Sequence, residues 1–428
     1  DDDPHVPLVI TKSGTAAAPI TLLGENRPKL GNLDFYGTNH FIIEGFEIAY
    51  QTSHRFFLGL KIRDSHHLTV RDMLIHHLTG SAISTEAGSS DIIVENSTIY
   101  EIMPNRSGDD AHCFVNSRAR NIVFRHNECY GFIGDGYQAW REDEALLYDR
   151  GLTLIEGNRI YNTKGRCSEN AIDLKAEAGT VIIRNNILSG FRRMDYAQCP
   201  IHATGCGFYC WAINIQDGGT GTLVIENNEI FDSDNGIFNN QMQAIIQNNV
   251  LYDITNTVIY DHGPASRYYH NTFVKNGSIM HPNSTGPREV ANNLFYEVGA
   301  TVAGNYHHNG WFGQNERLPG RGDVEGHDPG LNPDYSLQPN SRLVDQGIDL
   351  GVTTDFIRIP NSRPFGAAPD IGAFEFTGAT PRPTPSSSPT TSPTPEGTPA
   401  SSPTFSTSTK TCAVSPVLNV AEASRRLE

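Results

Sequence analysis

The sequence predicts an all-β fold: a single right-handed parallel β-helix, a solenoid of about ten coils, followed by a disordered Pro/Ser/Thr-rich tail. Three observations predict it. Short apolar strands ending in Asn recur along the chain, residues alternate with period two inside each copy, and helical spacing is absent.

The copies include Ile92-Ile93-Val94-Glu95-Asn96-Ser97, Ile122-Val123-Phe124-Arg125-His126-Asn127 and Ile182-Ile183-Arg184-Asn185-Asn186, with weaker ones at Ile42-Ile43-Glu44-Gly45 and Val70-Arg71-Asp72. Aligned, they give a column of Ser97, Asn127, Asn158, Asn186, Asn228, Asn249, Asn271 and Asn293, spaced 30, 31, 28, 42, 21, 22 and 22 residues apart. Strands this short cannot bury a face alone, so coil must stack on coil to enclose a continuous core. Asn tolerates left-handed turns and bonds nearby backbone, which makes the column structural.

Composition limits the partners. The 428 residues carry a formal charge of −16. That argues against nucleic acid, which needs a basic footprint, and against an anionic membrane surface. A polyanionic sugar stays open if cations gather locally. No apolar run approaches the roughly 20 residues that span a bilayer. Asp1 is not a natural start and no signal peptide is visible, so the sequence is expected to be processed or trimmed. Residues 378–410 are Pro/Ser/Thr repeats, of the kind found as linkers in exported enzymes. Residues 411–428 are too few to fold alone and are expected to be disordered or truncated. The helix domain is therefore placed at 1–377, with a closing segment at 328–376, in a secreted monomer.

Seven cysteines are present. Cys199, Cys206 and Cys210 crowd one polar stretch, where a disulfide is expected. Cys113 and Cys129, in or beside repeat strands, are read as buried thiols.

Insertions in a solenoid become loops on one face. Three fall in mid-helix, at 101–110, 141–150 and 190–210, and they wall a groove suited to an extended ligand. A second strand in each coil lines it. Alignment on the Asn column places Glu86, Asn116, Lys175, Gln216, Asn240 and His262 in one outward row. Ser84, Phe114, Asp173, Asn214, Phe238 and Tyr260 form another, two residues earlier. Asp173 and Lys175 point together into the groove, either as a functional pair or as a surface ion pair worth at most about 1 kcal/mol. The candidate ligand contacts are Asn116, Gln138, Trp140, Arg166, Asn214, Gln216, Asn240 and His262. Arg192 and Arg193 add positive charge beside Lys175. Asp109, Asp110, Asp135 and Glu169 fall in turns of successive coils, where oxygen ligands suit calcium. Turn formation by Asp is the alternative. Arg321-Gly322-Asp323 is similar to an adhesion tripeptide, a match short enough to arise by chance.

The coils, over about residues 35 to 300, resemble the parallel β-helix repeats of secreted bacterial carbohydrate enzymes, in the pectin lyase-like fold. The opening Ile10-Thr11-Lys12-Ser13-Gly14 through Ile20-Thr21-Leu22 is similar to the opening of polysaccharide-lyase-like helices. Asp328-Pro329, Ser341, Leu343, Asp345, Gly347, Asp370-Ile371-Gly372-Ala373 and Glu375 resemble their closing segment. The resemblance implies β-elimination of a uronic-acid polysaccharide. Lys175 would take the proton at C5, its pKa lowered by nearby cations and burial, while calcium or Arg neutralises the carboxylate. In the ninth polysaccharide lyase family several Asp residues precede that Lys closely; here Asp109-Asp110 lies two coils upstream and Asp135 stands alone between. The chondroitinase B and alginate lyase group is an equally loose match. Gly108-Asp109-Asp110 superficially resembles the Asp pair of polygalacturonases, whose Gly-His-Gly and Arg-Ile-Lys elements are missing. A glycan-binding protein without catalysis is the third reading.

Overall fold

The computed structural model describes residues 7–49, 58–103, 110–140, 147–162, 168–175, 177–192, 210–216, 221–280, 286–299, 304–313, 320–356 and 362–378. Asp109, Arg166, Arg193, Cys199, Cys206 and the region from 379 onward lie outside them.

Period-two alternation fixes which way each strand faces. In Arg120–Arg125, Ile122 and Phe124 are buried while Val123 and Arg125 point outward. Each coil then turns and repeats the pattern, so all strand pairings between coils are parallel. Three stacks result, wound into a right-handed parallel β-helix, the hand that twisted strands impose on parallel crossovers.

The first sheet begins at Leu8–Ile10 and passes through Phe114–Asn116, Tyr137–Ala139, Ile172–Lys175 and Trp211–Gln216. The second holds 12 strands, from Ile20–Leu23 to Asn305–His307. The third starts at Lys29–Leu30, takes in Thr98–Ile102 and Glu128–Phe132, and ends at Val324–Gly326. Two long strands, Glu229–Asn239 and Val250–Asp261, run round a corner and belong to both the third and the first. One continuous apolar core fills the interior. No helix among the described residues is long and apolar enough to cross a membrane.

The Asn column is a buried ladder. The side-chain oxygen of Asn158 accepts from both the backbone N–H (2.9 Å) and the amide Nδ2 (3.1 Å) of Asn127. The same pair of bonds repeats at Asn186, Asn228, Asn249, Asn271, Asn293 and Asn309. Asp323 caps it, accepting from the Asn309 N–H at 2.8 Å and from Trp311 Nε1 at 2.8 Å. The adhesion-like tripeptide therefore contains a structural cap. Left-handed backbone belongs to the residue before the ladder, as at Asn96, His126, Asn185 and Asn227.

Outside the second sheet runs a charge ladder. Strand register aligns Glu44, Arg71, Glu95, Arg125, Glu156, Arg184 and Glu226. Arg125 Nε donates to Glu95 at 2.7 Å and Arg184 Nε to Glu156 at 2.8 Å.

Cys113 and Cys129 form a disulfide, not the buried thiols expected. They leave adjacent faces of one coil, both pointing inward, with Cα atoms 6.4 Å apart and so within bridging reach. The closing segment lies along the outside of the later coils. Side chains of Asn227, Asn248 and Asn292 donate to the carbonyls of Asp355, Thr354 and Ile348. Buried Arg363 pairs with Glu375 at 2.9 Å.

Candidate functional site

Strand register settles the outward rows of the first sheet; most of the three insertions expected to wall a groove there (104–109, 141–146 and 193–209) lies outside the described residues. Gln138, Asp173 and Asn214 are direct neighbours on consecutive coils, and Phe238 and Tyr260 continue that row. Lys175 pairs with Gln216. Trp140 follows Ala139, the partner of Leu174, and so joins the Lys175 row. Asn240 and His262 extend it by the same offset.

Asn116 and Phe114 do not belong to these rows. Asn116 aligns with Ala139, and Phe114 with Tyr137. That is a slip of one residue from the expected alignment, and it turns both side chains inward. Asn116 is fully buried and closes a turn, its Oδ1 accepting from the Ala119 N–H at 2.8 Å. It cannot touch a ligand.

Lys175 and Asp173 form the ion pair that their spacing predicts, Nζ to Oδ2 at 3.2 Å. Their exposures differ: the Asp173 side chain is 1% exposed and that of Lys175 22%. The ammonium is thus the presented end, backed by a buried carboxylate. Burial alone would lower the Lys175 pKa, but Asp173, Asp135 and Glu169 together hold it above its ordinary value. This corrects the expected downward shift. The surrounding charges are carboxylates, so the lysine rests protonated.

Asp135 lies beneath the ribbon with no exposed surface. Its Oδ2 accepts from Gln138 Nε2 at 2.9 Å, and its Oδ1 from the Asn170 backbone N–H (3.1 Å) and Nδ2 (2.9 Å). Burial, then the charges of Asp173 and Glu169, push its carboxyl well above the usual range. The Asp135 N–H donates to His112 Nδ1 at 2.9 Å, which leaves that nitrogen an acceptor on a neutral ring.

These residues do not fit a calcium site at Asp135. Both of its oxygens are occupied by amide donors, where calcium needs free oxygen ligands. Among the described residues no group of three or more His, Cys, Asp or Glu side chains could hold a metal ion. Of the other expected ligands, Glu169 acts on Asp135 through its charge, and Asp110 precedes the Ala111 bridge to Ile133. Arg192 pairs with Asp232 on the next coil at 2.6 Å and is 40% exposed. That holds its charge at a corner, away from the Asp173 row.

One anchor of the site escaped the sequence reading. Arg150, among the largest fully buried side chains, ends the second insertion. Its Nη1 donates to Glu177 Oε2 (3.0 Å) and to the Lys175 carbonyl (3.2 Å), and its Nη2 to the Trp140 carbonyl (2.8 Å). The guanidinium thereby holds the ends of two adjacent strands that present Trp140 and Lys175. An arginine inside a loop insertion reads as solvated, and only its contacts reveal the role.

Cys210 is also disulfide-bonded; Cys199 and Cys206 fall outside the described residues.

No protein-family model and no curated protein matches the chain. Several solved structures do. The chain is similar to a pectate lyase, Pel9A, at 17% identity and TM-score 0.43, over 86% of this chain and 82% of that one. It is similar to an alginate lyase from Paenibacillus sp. str. FPU-7 at 16% identity and TM-score 0.36, over 68% and 87%. A GH136 lacto-N-biosidase from Eubacterium ramulus matches at 9% identity and TM-score 0.45, over 75% and 60%. The β-helix assignment rests on the strand registers above, and no activity is carried over from these likenesses.

Proposed function

We propose that the protein holds an extended acidic polysaccharide along its first sheet and cleaves it by β-elimination at a uronate unit, with Lys175 as the base. One observation carries the reading. The charged tip of Lys175 reaches the ribbon surface in mid-helix, on buried Asp173 and between Trp140 and Gln216. A cation set on fixed anions suits an anionic sugar, and the extended row suits a chain.

In the reaction neutral Lys175 Nζ takes the C5 proton. The electron pair forms the C4–C5 double bond as the C4–O bond breaks, and the leaving oxygen takes a proton from water. Because Asp173 favours the ammonium form, the base becomes available as pH rises, and cleavage should be faster in alkaline solution. Arg166 and Arg193 are proposed to neutralise the substrate carboxylate. Calcium on Asp109 and Asp110 is proposed as the alternative for that task. The Cys113–Cys129 disulfide suits an oxidising compartment, in keeping with secretion.

The test is ultraviolet absorbance of unsaturated product on pectate, alginate, hyaluronate and chondroitin, with Lys175→Ala alongside. Full activity in Lys175→Ala would overturn the assignment. Activity that survives a chelator removes calcium. A second reading, hydrolysis, is favoured by the upward shift of the Asp135 carboxyl, the direction a general acid needs; its complete burial places it second. New reducing ends without the absorbance would support it, and binding without cleavage would leave a glycan-binding protein.

A further inference from the structure

The row that holds Asp173 continues into an aromatic surface. Beyond Asn214 come Phe238 and then Tyr260, on the next two coils. Trp211 lies with them, its ring centroid 5.4 Å from Phe238 and 6.5 Å from Tyr260. His262, in the neighbouring row, sits 4.6 Å from Tyr260. Trp211 is only 4% exposed and packs its ring against both Phe238 and Tyr260. Phe238, Tyr260 and His262 are all partly exposed.

A second aromatic column on this molecule shows what is different here. His76, Tyr100, Tyr130 and Tyr161 follow one another up the third sheet with centroids 4.8, 5.2 and 5.1 Å apart and planes within 12° of parallel. Each ring spends its face on the next, which serves stability. On the first sheet Phe238 and Tyr260 are inclined by 60°, and Tyr260 and His262 by 50°. Rings so inclined do not cover one another's faces. A pyranose ring carries a face of C–H groups that packs against such a surface, while Gln216 and Asn240 alongside offer amides to its hydroxyls.

We infer that Phe238, Tyr260 and His262, supported by Trp211, form a stacking subsite for pyranose units of the bound polysaccharide. Coils stack about 4.8 Å apart, so Phe238 and Tyr260 stand roughly 10 and 14 Å along the axis from Asp173. At about one sugar per coil, the subsite receives the second and third units from Lys175. The inference rests on the reading that the first sheet carries a polysaccharide, and it gives that sheet a direction: a charged end at Lys175 and an apolar end toward the C-terminus.

The experiment titrates oligogalacturonates and oligoalginates of increasing length into the wild type, Tyr260→Leu and Phe238→Leu by calorimetry, and follows cleavage separately by absorbance. Leucine keeps an apolar side chain on the surface, and thermal melts confirm folding. Tyr260→Leu should weaken the longer oligomers about tenfold and leave the shortest unchanged. Equal loss at every length, or none at any, would overturn the subsite even where cleavage at Lys175 is intact. Length-dependent binding without unsaturated product would support the subsite and sink the elimination reading alone.

Discussion

Replacing Arg150 by methionine tests how the site is held. The guanidinium bonds Glu177 at 3.0 Å, the Lys175 carbonyl at 3.2 Å and the Trp140 carbonyl at 2.8 Å, and the two charged side chains are 1% and 0% exposed. Methionine fills most of the volume but leaves the Glu177 carboxylate buried without its cation. Removing one partner of such a pair costs about 3–5 kcal/mol. The cost should depend on pH, and the direction can be worked out. Burial already raises the Glu177 pKa while Arg150 lowers it, with a net upward shift. Without Arg150 the upward shift grows. A carboxyl whose folded pKa exceeds its unfolded value binds its proton more tightly when folded. Stability is then lost as pH climbs from about 4.3 through the folded pKa. Urea denaturation of Arg150→Met should therefore show a small deficit near pH 5 and the full deficit near pH 8. Arg150→Met/Glu177→Gln should recover most of it. A deficit that is the same at both pH values, or no recovery in the double variant, would refute the reasoning.

Three further outcomes are expected. Asp173→Asn removes the largest charge holding Lys175 protonated, so the rising limb of elimination rate against pH, followed by absorbance, should move to lower pH; an unmoved limb counts against Lys175 as base. Replacing both Cys113 and Cys129 by alanine opens a link spanning 16 residues and should cost about 3 kcal/mol in urea denaturation. A variant as stable as oxidised wild type would show the link to be idle. Asn249→Ala deprives the Ile225 carbonyl of its donor at 2.9 Å and the Asn228 N–H of its acceptor at 2.9 Å. At about 1–3 kcal/mol for each unpaired group, amide exchange should quicken at Asn228 and its neighbours; unchanged exchange there would deny the ladder its role.

The repeats made the fold legible because each coil writes the same constraint into the chain. Ile122 and Phe124 must face in, and Asn127 must bond the coils on either side, so the period survives in sequence. Phe238, Tyr260, Lys175 and Gln216 fell into their rows for the same reason. The Phe114–Asn116 strand did not, because counting back from the Asn column crosses a turn whose length varies, and one residue of error inverts a strand. The Cys113–Cys129 bridge crosses the interior of one coil and leaves no periodic trace. The Lys175 shift has the opposite sign to the one expected because its sign depends on which charges approach: Asp173, then Asp135, stand close, while Arg192 is held by Asp232. The charge ladder was readable, since Glu95, Arg125, Glu156, Arg184 and Glu226 each stand two residues before the column.

That alternation bears on how such a chain can lengthen. The Asn ladder is indifferent to the number of coils, because every rung offers the same donors and acceptor. The Glu/Arg ladder is not. Deleting the coil that carries Arg125 would set Glu95 against Glu156, and duplicating one coil would set like against like at the seam. Only an even number of coils can be gained or lost with every charge still facing its opposite. Over the stretch from Glu44 to Glu226 the heritable unit of growth is therefore a pair of coils, about twice the repeat that the asparagines mark.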